Sequence, residues 1–542
     1  METARVVGAC LRGADAELVT IEARFDADYE LGRTDVRVSG LPDAVVRDGR
    51  GRLLCALGDA GLHPGPGHLY LNLVPAGQRK PGDLLDLPLA LAAAAAAGHL
   101  EADRLKGVLL LGELGIDGRL HDVPGALAAA EAARRAGVRR VIAPPRSAAE
   151  AAHLPDLTVF AARDLSEAVS ALWAGPDLAL ASTEATLPPT RPERLDQVRG
   201  QPVAKRAATV AAAGGHGLLL IGPPGTGKSL LSRAALELLP PPTLEERIEI
   251  TRVQSAAGLW PGGLARSRPF RAPHHTVSYA GLVGGGSPPR AGEITMAHGG
   301  LLFLDELGEF KRESLEALRQ PLEEGRVRVS RASERVDLPA RFQLVAAMNP
   351  CPCGYLGHPT VSCRDTPNSV RRYRERLSGP LLDRIELRVE LESPDLETLA
   401  PMATAAPTGG ARNHPAGAGA RGGVQAVAEA TGTDLTEDPS SGASLARAVE
   451  RARVVAIARQ GGRINSALQA DDLDRVAELD AESRALLESA ARSRGLSARA
   501  VQGLRRVART IADLESVQQS RDETPVGARH LAEAMALRAP IF

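Results

Sequence analysis

The sequence predicts an α/β protein: two α/β units in series, then an all-helical tail. Three observations carry that reading. The chain has 542 residues, more than one ordinary domain holds. Short strand-like runs alternate with Ala-rich helical stretches up to about residue 175, and again from about 196 to 391, where a glycine-rich turn joins a strand to a helix. From Leu445 onward, Leu, Val and Ile recur at helical spacing with Arg and Glu between them.

In the first unit, Leu69–Val74, Val108–Leu111, Val138–Ile142 and Leu157–Phe160 read as strands. Leu89–Ala97 and Ala126–Ala136 read as helices, and Asp117-Gly118 suits a hairpin turn. The apolar stretch Val6 to Leu11 stops at Arg12, so no secretory signal is expected. The longest apolar run, Leu87 to Gly98, contains Pro88 and is shorter than the ~18 residues of a membrane span. A cytoplasmic protein with no membrane partner is therefore expected. Five cysteines exclude a disulfide-stapled scaffold. The net charge of −1 gives no bulk attraction to nucleic acid, so any DNA contact must be local. Thr183 to Pro192 reads as a linker, and 401–443, rich in Pro, Gly, Ala, Thr and Ser, reads as a mobile insertion.

The chemistry begins at Leu218–Ile221, an apolar strand that runs into Gly222-Pro223-Pro224-Gly225-Thr226-Gly227-Lys228-Ser229, with Leu230 opening a helix to Leu239. Strand, glycine-rich loop and helix in that order form a P-loop, whose backbone N–H groups turn inward around phosphates. Lys228 is expected to reach the β/γ-phosphates of ATP, and the Ser229 hydroxyl to bind Mg²⁺. Leu301–Leu304 ends in Asp305 and Glu306. Asp305 would hold the Mg²⁺ and Glu306 polarise the attacking water, with Leu307–Leu318 a helix behind them. A further strand, Leu344–Met348, ends at Asn349, an amide that could sense the γ-phosphate. In Gly379-Pro-Leu-Leu-Asp383-Arg384-Ile385, Arg384 suits an arginine finger for a neighbouring subunit; a surface Asp383–Arg384 pair is the alternative.

These motifs, in this order, resemble AAA+ ATPases of the helix-2-insert branch. Arg268-Pro-Phe-Arg-Ala-Pro-His-His275, Leu282-Val-Gly-Gly-Gly286 and Arg290-Ala-Gly-Glu-Ile294 are similar to the magnesium-chelatase-like family that includes ComM and YifB. Val38-Ser-Gly-Leu-Pro-Asp43 and Leu111-Gly-Glu-Leu-Gly115 extend the resemblance to the N-terminal unit. The resemblance implies a Lon-protease-like N-domain over 1–178, an AAA+ core with helix-2 insert over 193–395, a flexible insertion over 396–444 and a helical lid over 445–542. It also implies a homo-hexameric ring, with Arg384 acting in trans and a lid sensor arginine at Arg499, Arg506 being second choice. Proteolysis is not expected. Gly82–Pro88 offers no Ser nucleophile and His121–Pro124 no Lys base.

Two signals remain. Gly325–Arg331 and Arg335–Pro339 read as a hairpin on which Val327 and Val329 alternate with Arg328 and Ser330. It resembles the pore-facing hairpin of helix-2-insert motors, so Arg328, Arg331 and Arg335 are candidate DNA phosphate contacts; a solvated charged hairpin is the alternative. Cys351, Cys353 and Cys363, with His358 and Asp365 nearby, suggest structural Zn²⁺, although the family's fourth thiolate is missing; plain thiols are the alternative. Two functions stay open: a DNA motor (helicase or branch migration, as the ComM family implies), or a chelatase-type ATPase that remodels a protein partner.

Overall fold

The computed structural model describes residues 3–40, 44–75, 84–175, 179–180, 193–260, 262–286, 289–331, 334–392, 438, 441–521 and 523–540. The linker expected at 183–192 and nearly all of the insertion expected at 396–444 lie outside the described residues. Within residues 4–39, Asp15–Ala27 alternates apolar and polar side chains, whereas Ala4–Arg12 carries the apolar stretch Val6–Leu11. These residues form three strands; Asp15–Ala27 buries one face more than the other, and Ala4–Arg12, inside the sheet, buries side chains on both. These join four others in a seven-stranded mixed sheet ordered Thr34–Ser39, Gly67–Val74, Asp15–Ala27, Ala4–Arg12, Val108–Leu110, Arg140–Ala143 and Thr158–Ala161. The apolar run at 87–98 is a helix, Asp86–Ala96, with Leu87 through Ala95 all buried. Pro88 is tolerated because it stands in the first turn, where its missing N–H has no intrahelical acceptor. Asp86 is held by Arg52 at 2.6 Å and accepts from the Leu114 N–H at 3.1 Å.

The second sheet has five parallel strands: Phe270–Arg271, Leu301–Leu304, Gln343–Met348, Leu218–Ile221 and Leu387–Glu390. Numbered along the chain, the order is 2-3-4-1-5, which leaves the P-loop strand between the sensor strand and the last strand. Successive residues point into two cores. Leu218, Leu220, Phe303 and Val345 share one with Leu504, Val507 and Ile511 of the C-terminal helices. Leu219, Leu302, Leu304 and Leu344 share the other with Phe310, Leu315 and Leu381. Both faces are covered, so the strands read as unbroken apolar runs. The lid is thus no satellite: Leu504→Ala would open a cavity beneath the P-loop strand at a cost of about 2–5 kcal/mol.

One expected helix is broken. Leu307–Glu309 is a single 3-10 turn, and helices Arg312–Ala317 and Arg319–Glu324 follow. Phe310 and Lys311 are extended between them, and Glu306 before them is left-handed at φ 53°, so no continuous helix can start there.

The N-terminal unit docks on helix Leu244–Ala256 of the second unit. Arg252 lies 2.7 Å from Asp15 and 3.2 Å from Glu131, and the Gly125 N–H donates to Ser255 Oγ at 2.9 Å. The turn at Gly13 lies so close to Val336 and Leu338 of the hairpin that a methyl there would come within 2.5 Å of both. Among the described residues, no helix is long and apolar enough to cross a membrane.

Candidate nucleotide site

The phosphate loop sits at the carboxyl edge of the parallel sheet, between strand Leu218–Ile221 and helix Lys228–Glu237. Gly225 (φ 82°) and Gly227 (φ 86°) take the left-handed turns that only glycine adopts without strain. Lys228 is 9% exposed. Its Nζ donates to Gly222 O at 2.7 Å, Pro223 O at 2.8 Å and Asn349 Oδ1 at 3.2 Å. All three partners are neutral. Burial pushes the Lys228 pKa below its ordinary 10.5, against the pull of Asp305 and Glu306. A buried cation with only dipoles as partners is suited to an anion. Thr226 Oγ1 closes the loop on Pro223 O at 3.0 Å, and Leu230 packs on the core shared with the lid.

Ser229 Oγ donates to Asp305 Oδ2 at 2.9 Å, so the two Mg²⁺ candidates meet directly. A hydroxyl and a carboxylate are the hard oxygen donors that Mg²⁺ prefers, and the pair fits that ion. Glu306 is the next residue along. Its left-handed backbone turns it off the strand line, and its carboxylate pairs with His275 Nδ1 at 2.9 Å. Nothing in the stretch Arg268–His275, read as sequence, assigns His275 a role. Adjacent histidines, separated by two residues from strand Phe270–Arg271, are the available signal. Arg271 steadies this segment through a bidentate pair with Glu293 at 2.6 and 2.7 Å.

Arg384 and Arg499, 115 positions apart in the chain, converge on one carboxylate, Glu323, that no sequence motif marks. Arg384 Nη2 pairs with Glu323, Arg384 Nη1 donates to Pro380 O at 2.7 Å, and Arg499 Nη2 donates to Glu323 Oε1 at 2.6 Å. The Arg384 hydrogen bond holds the Glu323 carboxyl below its ordinary pKa. The local Asp383–Arg384 pair does not form: Asp383 accepts from Ser497 Oγ at 2.8 Å and lies 3.6 Å from Arg538. Arg506, the second-choice sensor, is spent inside the protein. It bonds Leu468 O at 2.8 Å and Glu386 at 3.3 Å, and Glu386 is buried against His216.

The hairpin, Arg326–Arg331 paired with Glu334–Pro339, buries Val327, Val329, Val336 and Leu338 in the core beneath the sheet. Arg335 is exposed, whereas Arg328 Nε donates across the hairpin to Asp337 at 3.0 Å. Cys351, Cys353, Cys363 and Asp365 come together just beyond Asn349, while His358 bonds within its own loop, to Val361 and Thr360.

Comparison with known proteins agrees with this geometry. Residues 194–399 match the family of magnesium chelatase, subunit ChlI; residues 25–147 match subunit ChlI of Mg-chelatase; residues 439–538 match its C-terminal family. Competence protein ComM of Haemophilus influenzae is 37% identical over 552 residues, covering 100% of this chain and 98% of that protein. YifB of Salmonella typhimurium is 36% identical over 97% of this chain and 95% of its own length. Lon protease 2 of Bacillus subtilis is 31% identical over 147 residues, 25% of this chain and 26% of that protein.

Proposed function

This chain belongs to the magnesium-chelatase-like ComM/YifB family of AAA+ ATPases, and on that premise we propose that it is an ATP-hydrolysing ring motor that acts on DNA. Lys228 and the loop Gly222–Ser229 bind the β/γ-phosphates. Ser229 and Asp305 hold Mg²⁺, which neutralises phosphate charge when bound. Glu306 polarises the attacking water, and its pairing with His275 supports a positioned base. Asn349, already within reach of Lys228, aligns that water with the γ-phosphate. Arg384 works in trans across subunits of a hexamer, and Arg499 serves as the sensor arginine of the lid. The support is that their partners, Pro380 and Glu323, lie outside the phosphate site. A finger of this kind is worth roughly 10³–10⁵ in rate.

The DNA assignment rests on one observation: the hairpin buries its valines in the ATPase core and turns the opposite face, with Arg335, to solvent. Arg328 and Arg335 share that face, and with Arg331 beside the turn they contact phosphates without reading sequence. One feature favours the partner-remodelling reading instead: Arg328 and Arg326 both lie near Asp337, at 3.0 and 3.7 Å, which offsets part of the basic face. ATP turnover measured with and without single-stranded and branched DNA separates the two. We expect stimulation in the parent. In an Arg328→Ala/Arg331→Ala double variant we expect loss of stimulation, a salt dependence flattened by about one unit per arginine, and intact basal turnover. Unchanged affinity, salt slope and stimulation would hand the function to partner remodelling.

A further inference from the structure

Three thiols and a carboxylate converge at the end of the sensor strand. The Sγ atoms of Cys351, Cys353 and Cys363 are 3.4, 3.5 and 3.6 Å apart. Asp365 Oδ2 lies 3.8 Å from Cys363 Sγ and accepts from the Cys353 N–H at 2.8 Å. All four ligand atoms fall within 4.8 Å of one another. Around a tetrahedral zinc ion with Zn–S near 2.3 Å, sulfur–sulfur edges are about 3.8 Å and sulfur–oxygen edges about 3.5 Å. The observed separations are close to both. A disulfide would bring two of the sulfurs to about 2.05 Å and leave the third without a partner.

The surrounding loop has little else to hold it. From 351 to 366 only Cys351 and Gly354 are buried, so apolar packing cannot fix the segment, and a short scaffold of this kind needs a staple. We propose that Cys351, Cys353, Cys363 and Asp365 bind one Zn²⁺ ion, with the Asp365 carboxylate as the fourth ligand. Thiolate-rich tetrahedral sites select zinc over harder divalent ions.

The site backs the nucleotide pocket. It begins two residues after Asn349, and Gly354 inside it leans on the P-loop: a Cβ there would meet Pro224 Cδ at 2.8 Å. Arg374 fastens the same segment to helix Pro367–Arg374 by donating to Pro350 O at 3.3 Å. Zinc therefore holds Asn349 and Pro224 in register, and its loss slackens the phosphate site.

Metal content by mass spectrometry on the full-length protein, purified without chelator, tests this together with titration of the native thiols. We expect one zinc per chain, three thiols that react slowly until a chelator is added, and a Co²⁺-substituted form with the visible absorption of tetrahedral thiolate cobalt. Asp365→Ala should bind zinc at least tenfold more weakly, while Asp365→Cys keeps four ligands, folds as the parent does and resists chelator. Substoichiometric metal with freely reacting thiols overturns the site. Parental zinc affinity in Asp365→Ala overturns the role of Asp365. Both readouts are independent of ATP turnover, so either failure leaves the motor assignment standing.

Discussion

At the phosphate end of the ATPase core, Lys228 is buried and has two backbone carbonyls and an amide for partners; at the arginine end, Arg384 and Arg499 close on a single carboxylate, Glu323, that is half exposed. The first arrangement leaves a desolvated positive charge in want of an anion. The second sets two cations against one carboxylate, so one positive charge is left over; the Arg499 half of the cluster is solvent-exposed, and an exposed ion pair is worth only about 0–1 kcal/mol. Under the proposed function, one end captures a ligand and the other exchanges a partner. That division is what a site shared between neighbouring subunits requires.

The largest effects should come from the capturing end. Lys228→Ala should lose nucleotide binding in a fluorescent-nucleotide titration. Glu306→Gln should still bind, with phosphate release reduced about 10²–10⁴-fold. Parental turnover in Glu306→Gln would remove Glu306 from the chemistry. At the exchanging end, Arg384→Ala should lower turnover about 10³-fold, and mixing it with Lys228→Ala should restore part of it, because an intact P-loop then meets an intact finger. No recovery in subunits shown to co-assemble would make the Arg384–Glu323 pair structural and erase the contrast.

Glu323→Gln sharpens the contrast further. It loosens both arginines without removing either, so turnover should fall about tenfold, in kcat rather than KM. The smallest effect should lie away from both ends. Glu249, hydrogen-bonded to His298 and paired with Arg341, has its carboxyl pKa lowered from 4.5 to about 2. Because the folded value is the lower one, its stabilisation is present above pH 4.5 and is lost as the pH falls towards 2. Glu249→Gln should then cost about 1 kcal/mol at neutral pH, given its partial exposure, and nearly nothing at the acid end. Thermal unfolding at several pH values would measure it, and ATP turnover should not move.

Much of the phosphate site was legible in the chain because it is local. A strand, a glycine turn and a helix within twenty residues leave the backbone few ways to fold, so the placement of Gly222–Ser229, and of Asp305-Glu306 after an apolar strand, follows from the order of residues. The alternating valines of the hairpin did the same for its two faces. Strand Asp15–Ala27 shows alternation without a solid apolar run, and the stretch Val6–Leu11 is too short to declare the strand Ala4–Arg12 by itself. What tertiary structure alone decided are the pairings across sequence distance. His275 meets Glu306, Arg384 and Arg499 meet at Glu323, and the lid completes the core under the P-loop strand. Such pairs leave no periodicity, since each depends on where two separately formed elements dock, and docking is set by the packing of whole faces rather than by the spacing of residues along the chain.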